Sequence, residues 1–200
     1  MKRLNLIRTL ICTGGLLLQL STLCFQSHGA AGDVDLSFDP GSGVNGPVNA
    51  VAVQPDGKVI IGGQFTMVKG LQRTNLARLN ADGSGDATFN PIRPYNAVDA
   101  LALQSDGKVL VGGNFWLECD ADGYCSSPTV VVRLNTNGSL DNSFNPVIAT
   151  YYNDYPQYRS LVVQSDGKVL IAGDFYAVNG TNRNGIARLN TNGSVDNSFD

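Results

Sequence analysis

The chain has 200 residues, with 14 Lys and Arg against 17 Asp and Glu, and its formal net charge is −3. The sequence has a net negative charge and no run of basic residues, which argues against nucleic acid and anionic membranes as partners. A single histidine and four cysteines provide few candidate ligands for a metal ion and few candidates for a reactive thiol.

Residues 1–31 have the pattern of a signal peptide. Basic residues open the segment, Leu10 to Leu23 forms an apolar run, and small residues follow between Ser27 and Gly32. Cleavage after Ala31 or after Gly29 fits this pattern. The apolar run is short for a membrane-spanning helix, so we predict export rather than anchoring.

Export would change the balance of the remaining chain. Loss of the three basic leader residues leaves 11 basic against 17 acidic side chains, a net charge of −6. His28 lies in the cleavage zone, so residues 32–200 contain no imidazole for a catalytic triad or a metal site. We expect an extracellular or cell-surface protein with no membrane span in its mature part. A lipid-modified Cys24 is a weaker alternative, because bulky Leu23 precedes it.

Two cysteines, Cys119 and Cys125, remain after the leader. Five residues separate them, in what would be an oxidising compartment. We predict a local disulfide, since a redox pair would have the C-x-x-C spacing. So short a loop adds roughly 2 kcal/mol of stability, mostly as local rigidity.

Three copies of the same phrases fill the rest of the chain. The first phrase, Gln-x-Asp-Gly-Lys-Val, begins at Gln54, Gln104 and Gln164, and the second, Arg-Leu-Asn, begins at Arg78, Arg133 and Arg188. The third, Asp-x-Ser/Thr-Phe-Asp/Asn, occurs at residues 35–39, 86–90, 141–145 and 196–200. A period of roughly 50 to 60 residues indicates a modular array whose units pack against their neighbours.

Each repeat predicts four short antiparallel strands. In the first repeat they are Val48 to Val53, Lys58 to Gly63, Leu76 to Asn80 and a segment around Gly85 to Phe89. Asp-Gly and Asn-Gly turns join them in pairs. Such units in series are the blades of a β-propeller, so we predict an all-β propeller-type array. An orphan outer strand at about residues 33–39 precedes blades at 40–90, 91–145 and 146–200.

These phrases resemble the Delta-60 repeat family of bacterial exported proteins. The likeness covers Asp33 to Asp200 and rests on three phrases that recur in order in three copies. It implies a propeller-like repeat fold outside the cell or at its surface. The family brings no assigned reaction and no catalytic residues, so none is carried over.

Three whole repeats are fewer than the four to eight blades of a closed propeller. The orphan phrase at residues 35–39 is expected to complete the edge of another blade. A three-blade array exposes strand edges and apolar blade faces, so we predict an incomplete propeller. It is either part of a longer chain or closed by association, and residues 32–200 alone should self-associate.

Residues shared by every repeat are interpreted as architectural, because every blade must fold but only some blades need form a site. We predict that the arginine of each second phrase pairs with the first aspartate of the following third phrase, and that the Asp-Gly aspartates form turns. The pairs are Arg78 with Asp86, Arg133 with Asp141 and Arg188 with Asp196, and the turn residues are Asp56, Asp106 and Asp166.

Three polar positions differ between the repeats. Asn49, Asp99 and Arg159 stand at the start of successive first strands, eight residues before the turn glycine. First strands line the central channel of a propeller, so these side chains are candidates for a ligand-binding constellation at its mouth. Simple exposure at a strand end is the alternative.

Two insertions interrupt the repetition. Phe115 to Arg133 spans 18 positions against 13 for Phe65 to Arg78, and Phe144 to Gly167 spans 23 against 18 for Phe89 to Gly107. Both connections should emerge on the face where first strands begin, which predicts a glycan or protein ligand there. Drift of surface loops is the alternative. The aromatic candidates are Trp116, Tyr124, Tyr151, Tyr152 and Tyr155.

Metal chemistry has only weak candidates. Asp120 and Asp122 imitate the start of a calcium loop, but Thr129 stands where the last acidic ligand is needed. The leading interpretation is a non-catalytic exported protein for recognition or surface architecture, without a cofactor. The alternative is part of an extracellular propeller enzyme of lactonase or lyase type with a metal at the channel mouth, which the cation Arg159 would oppose.

Overall fold

Short antiparallel strands make up the fold. The computed structural model of the chain describes residues 35–115, 129–150 and 158–199, and all of these except Asp35 belong to one unit, Leu36–Asp200. No helix occurs among the described residues, and thus none that could cross a membrane. The all-β architecture predicted from the sequence is confirmed.

Three sheets of the same design follow one another along the chain, and smaller strands lie in the connections. In chain order the strands are β1 (Val48–Val53), β2 (Val59–Gly63), β3 (Met67–Val68), β4 (Leu71–Gln72), β5 (Leu76–Leu79), β6 (Val98–Leu103), β7 (Val109–Phe115), β8 (Thr129–Leu134), β9 (Ile148–Ala149), β10 (Tyr158–Val163), β11 (Val169–Gly173), β12 (Ala177–Val178), β13 (Thr181–Asn182) and β14 (Ile186–Leu189). Blade 1 is the antiparallel sheet β1-β2-β5, blade 2 is β6-β7-β8, and blade 3 is β10-β11-β14.

The first turn of each blade is fixed by its aspartate and glycine. Gln54 and Lys58 close the turn with backbone hydrogen bonds, and Asp56 Oδ1 accepts a bond from the Lys58 N–H. Gly57 has a φ of 81°, a conformation that side chains disfavour. Asp106 and Asp166 make the same contacts in blades 2 and 3, so the prediction that these aspartates form turns is confirmed.

The outer edge of each blade is shorter than the predicted fourth strand. A single bridge, Leu79 with Gly85 in blade 1, takes the place of a ladder. Just beyond it, Asp86 Oδ1 accepts hydrogen bonds from the Thr88 N–H and hydroxyl. Such a local side-chain bond competes with strand pairing, so the chain turns away from its own sheet at this point.

Each blade also contains a carboxylate held by two cations. In blade 1, Asp86 Oδ2 lies 2.8 Å from Arg78 Nε and 2.9 Å from Lys58 Nζ. The arginine–aspartate pairing predicted from the repeats is therefore confirmed. The corresponding triads are Lys108, Arg133 and Asp141 in blade 2 and Lys168, Arg188 and Asp196 in blade 3.

Two apolar clusters lie between consecutive blades. Ile60 and Leu76 of blade 1 share a cluster with Val98 of blade 2, and Leu110 of blade 2 shares one with Leu161 of blade 3. The first strands are neighbours in the same order, with β1 beside β6 and β6 beside β10. Each blade therefore depends on the next for burial of its apolar side chains.

The third phrase fastens each blade to its successor. Phe89, which ends the first repeat, is buried in the cluster that blade 2 completes. The N–H of Asn90 then donates to the carbonyl of Asn137 in the second turn of blade 2. At the leading side of blade 1, Phe38 packs on that blade's cluster and Asp39 donates to the carbonyl of Asp82 in the same way.

Candidate binding site on the loop face

Each first strand has a bulge at the position that the sequence singled out. Pairing between β1 and β2 steps from Val48 with Gly63 to Ala50 with Gly62, which leaves Asn49 unpaired in the ladder. The same irregularity falls at Asp99 in β6 and at Arg159 in β10. A bulge re-aims a side chain out of the regular ladder and is common next to binding sites.

Two of these three residues meet across the junction of blades 1 and 2. Asn49 Nδ2 lies 3.3 Å from Asp99 Oδ1 and 3.2 Å from the carbonyl of Val98. Burial raises the pKa of Asp99 above its ordinary value, and the hydrogen bond from Asn49 opposes that shift. The side chain of Arg159 lies outside the described part, so the full constellation stays a prediction.

A polar groove lies on the same face, between the two connections of this junction. Its volume is about 300 Å³. One wall comes from the connection between β2 and β5, and the other from the connection that leads into β6. The lining residues are Asn45, Gln64, Phe65, Thr66, Thr74, Asn75, Tyr95 and Asn96.

Asn75 holds the two walls of this groove together. Its side-chain oxygen accepts a bond from the Phe65 N–H at 2.9 Å, and its Nδ2 donates to the carbonyls of Pro94 and Asn96. The residue is buried and has a φ of 60°. Because one side chain satisfies groups on both connections, the groove is shaped before any ligand arrives.

The rim of the groove combines fixed amides with an accessible ring. Asn45 accepts bonds from the N–H groups of Thr66 and Met67 and donates to the Thr66 hydroxyl. Tyr95 is 65% exposed, and so presents its ring to solvent. Amide, hydroxyl and aromatic side chains line the groove, and none of its described lining residues is charged.

A different pair of connections meets in blade 3, as it also does in blade 1, where Val44 bridges to Val68. In blade 3, β9, on the way into the first strand, pairs with β12 in the connection between the second and third strands. Tyr176, Asn182, Arg183 and Asn184 line a second depression on this blade. The described parts of both connections thus share one face, as the antiparallel strand order predicts.

The aromatic residues proposed from the insertions cannot be placed beside this groove. Every one of them falls outside the described residues, as do the predicted disulfide and the weak metal candidates. They are Trp116, Tyr124, Tyr151, Tyr152, Tyr155, Cys119, Cys125, Asp120 and Asp122. Within the described ranges no three His, Cys, Asp or Glu side chains are close enough to hold a metal ion.

The sequence reasoning missed Asn75 and Tyr95. A signal for Asn75 was present in the repeats, because the third repeat has Gly185 at the same place and that glycine has a φ of 72°. Asparagine is one of the few residues besides glycine that enters this conformation readily. Nothing in the repeat pattern distinguishes Tyr95 from an ordinary loop residue.

Blades that share their cores in series, with a common loop face, define a repeat protein of the propeller class. A family model described as "Domain of unknown function (DUF5122) beta-propeller" matches residues 54–89, 104–124, 126–144 and 164–199. These segments cover more than half of the chain, and the chain belongs to this family. No curated protein matches it.

Proposed function

We propose that this chain is an exported, non-catalytic recognition protein that binds a neutral glycan on its loop face. The groove held open by Asn75 is the observation that carries the proposal. We also infer that the repeats are of the Delta-60 type, on the strength of the three phrases. Export is supported by the leader pattern of residues 1–31.

The chemistry of the groove suits a sugar. Side-chain amides and hydroxyls offer neutral donors and acceptors, which match the hydroxyl groups of a carbohydrate. The exposed ring of Tyr95 supplies a flat apolar surface on which the C–H face of a sugar can stack. The described lining residues carry no charge, which favours a neutral ligand over a phosphate or a carboxylate.

A binding role is better supported than a catalytic one. Glycosidic hydrolysis uses two carboxyl groups on opposite sides of the bond, and the described lining of the groove has no acidic side chain. Asp99 is already bonded to Asn49. Among the described residues no observation favours the lactonase or lyase alternative.

Binding of the full chain to an array of neutral and acidic oligosaccharides tests the proposal. We expect neutral glycans to bind, and Tyr95→Ala to weaken that binding about tenfold, the effect of one lost ring contact. Tyr95→Phe is the matched control, because it keeps the stacking ring, and it should retain binding. The absence of any glycan ligand, or full affinity of Tyr95→Ala for each ligand found, would overturn the proposal.

A second set of variants tests whether the insertions belong to the same site. Replacement of Trp116, Tyr152 and Tyr155 by alanine should weaken the binding of the same glycans. Such a loss would extend the site from the groove to the insertion face. Unchanged binding would confine the ligand to the junction of blades 1 and 2.

A further inference from the structure

A second and smaller depression adjoins the groove at the junction of blades 1 and 2. Its polar lining residues are Gln72, Arg73, Thr74, Asn90 and Arg93, and Thr74 also lines the groove. We call it the arginine depression. Its volume is about 30 Å³, against about 300 Å³ for the groove. The arginine depression therefore has room for one small chemical group but not for a sugar ring.

Arg93 is an exposed cation in this depression that the fold does not use. Within the described part of the chain it forms no hydrogen bond and no ion pair. Every other lysine or arginine whose side chain is described has at least one such partner there. Blade 3 has Ile148 at the equivalent position, four residues after the phenylalanine of the third phrase. An arginine here is therefore not a requirement of the repeat.

Arg73 is held in place by neutral groups and keeps its charge. Its Nη1 donates to the carbonyl of Gln72 at 3.0 Å, and its Nη2 donates to the carbonyls of Ala87 and Phe89 at 3.5 and 3.2 Å. A guanidinium has five N–H donors, so at least two remain for a ligand. No carboxylate of the described residues pairs with Arg73. Its positive charge is therefore oriented but not neutralised.

The other polar side chains of the depression offer donors without a competing negative charge. Those of Gln72, Thr74 and Asn90 make no hydrogen bond with another described residue. Asn90 stands at the position that Asp39 has in the preceding third phrase. An amide is thus present where a carboxylate could have paired with the arginines. Amide and hydroxyl groups can donate to the oxygens of an anion.

Two like charges that line one small depression repel each other, and an anion placed there relieves the repulsion. The planar fork of a guanidinium matches two oxygens of a carboxylate or of a similar oxyanion. We propose that the arginine depression binds an oxyanion, namely a sulfate or a carboxylate group. The oxyanion can be free in solution, or it can belong to an acidic glycan that extends from the adjoining groove across Thr74.

Titration of the full chain with sodium sulfate tests the proposal, with sodium chloride holding the ionic strength constant. We expect saturable shifts of the side-chain N–H signals of Arg93 and Asn90 in NMR spectra. The substitution Arg93→Gln should weaken sulfate binding about tenfold, because one charge-assisted partner is lost. Arg93→Lys keeps the charge and should bind sulfate more tightly than Arg93→Gln.

Lys69→Gln is the matched control. It removes the same charge from another exposed position of blade 1, outside the depression, and should bind sulfate like the wild type. Arg93→Gln should unfold like the wild type in urea, since Arg93 has no described bond to lose. The absence of a saturable shift, or an undiminished sulfate affinity of Arg93→Gln, would overturn the proposal.

A sulfated oligosaccharide and its desulfated parent distinguish the two sources of the oxyanion. Tighter binding of the sulfated form than of both its parent and inorganic sulfate would assign the oxyanion to a glycan. Binding no tighter than that of inorganic sulfate would assign it to a free anion. Tyr95→Ala should leave the affinity for inorganic sulfate unchanged, because Tyr95 lines only the groove. The arginine depression and the proposed glycan groove can therefore fail separately.

Discussion

Asp86 illustrates how single residues stabilise a blade. Its carboxylate is buried, which disfavours the charged form, yet hydrogen bonds from Thr88, Lys58 and Arg78 outweigh that penalty. The pKa of the Asp86 carboxyl is therefore held well below its ordinary range. In Asp141 and Asp196 the bonds from the lysine and the serine are the leading causes of the same downward shift.

The three depressed carboxyl groups predict loss of stability in acid. An unfolded aspartate has a pKa of about 4. As the pH falls, the unfolded chain therefore takes up protons before the folded chain does. The stabilisation is complete above the unfolded pKa and is lost as pH falls toward the lower folded pKa values. Urea unfolding at pH 7 and pH 3 should show a lower free energy of unfolding at pH 3.

The substitution Asp86→Asn should reduce this pH dependence. It should also lower the free energy of unfolding at pH 7 by about 3 kcal/mol, because Lys58 and Arg78 lose their anionic partner.

The control for this substitution is Asp174→Asn, at an exposed aspartate that forms no ion pair with a cation of the described residues. It should change the free energy of unfolding by less than about 0.5 kcal/mol. Equal effects of Asp86→Asn and Asp174→Asn would contradict the assignment of a structural role to the triad.

At the scale of the strands, the glycines of β2 and β7 set the spacing of the blades. Gly62 faces Val98 of the next blade and Gly112 faces Leu161. Valine has a stiff χ1 and cannot move aside, whereas the end of a leucine can. We expect Gly62→Ala to destabilise the fold by about 1–3 kcal/mol and Gly112→Ala by less. Denaturant unfolding of both variants measures this order, and the reverse order would refute the packing account.

The strands and the ion pairs were predictable from sequence because both are local to a repeat. The segment Val48 to Val53 forms β1 as expected, and Arg78 pairs with Asp86 eight residues away. The hairpin of β3 and β4 was not predicted, since strands of two residues carry no periodic signal. The position of Phe89 in the core of the next junction was also missed, because a repeat period does not say which neighbour a side chain joins.

The candidate site was less predictable than the fold. Asn49 and Asp99 were found because they break the repetition at matching positions, and the structure brings them together. Asn75 acts through hydrogen bonds to two connections that are 10 and about 20 residues away in sequence. Such a contact depends on loop geometry, which residue type and spacing do not specify.

Each third phrase belongs by sequence to one repeat but is hydrogen-bonded to the blade of the next repeat. The boundary of the folded blade therefore differs from the boundary of the sequence repeat. Asp39 and Asn90 make the same backbone bond to the blade that follows them, and each is followed by a proline. Removal of residues 40–90 would therefore join the phrase ending at Asp39 directly to blade 2, with its bonding pattern intact. We therefore expect that recombination can add or remove whole repeats of this kind. The contact between each third phrase and the blade that follows it would be kept.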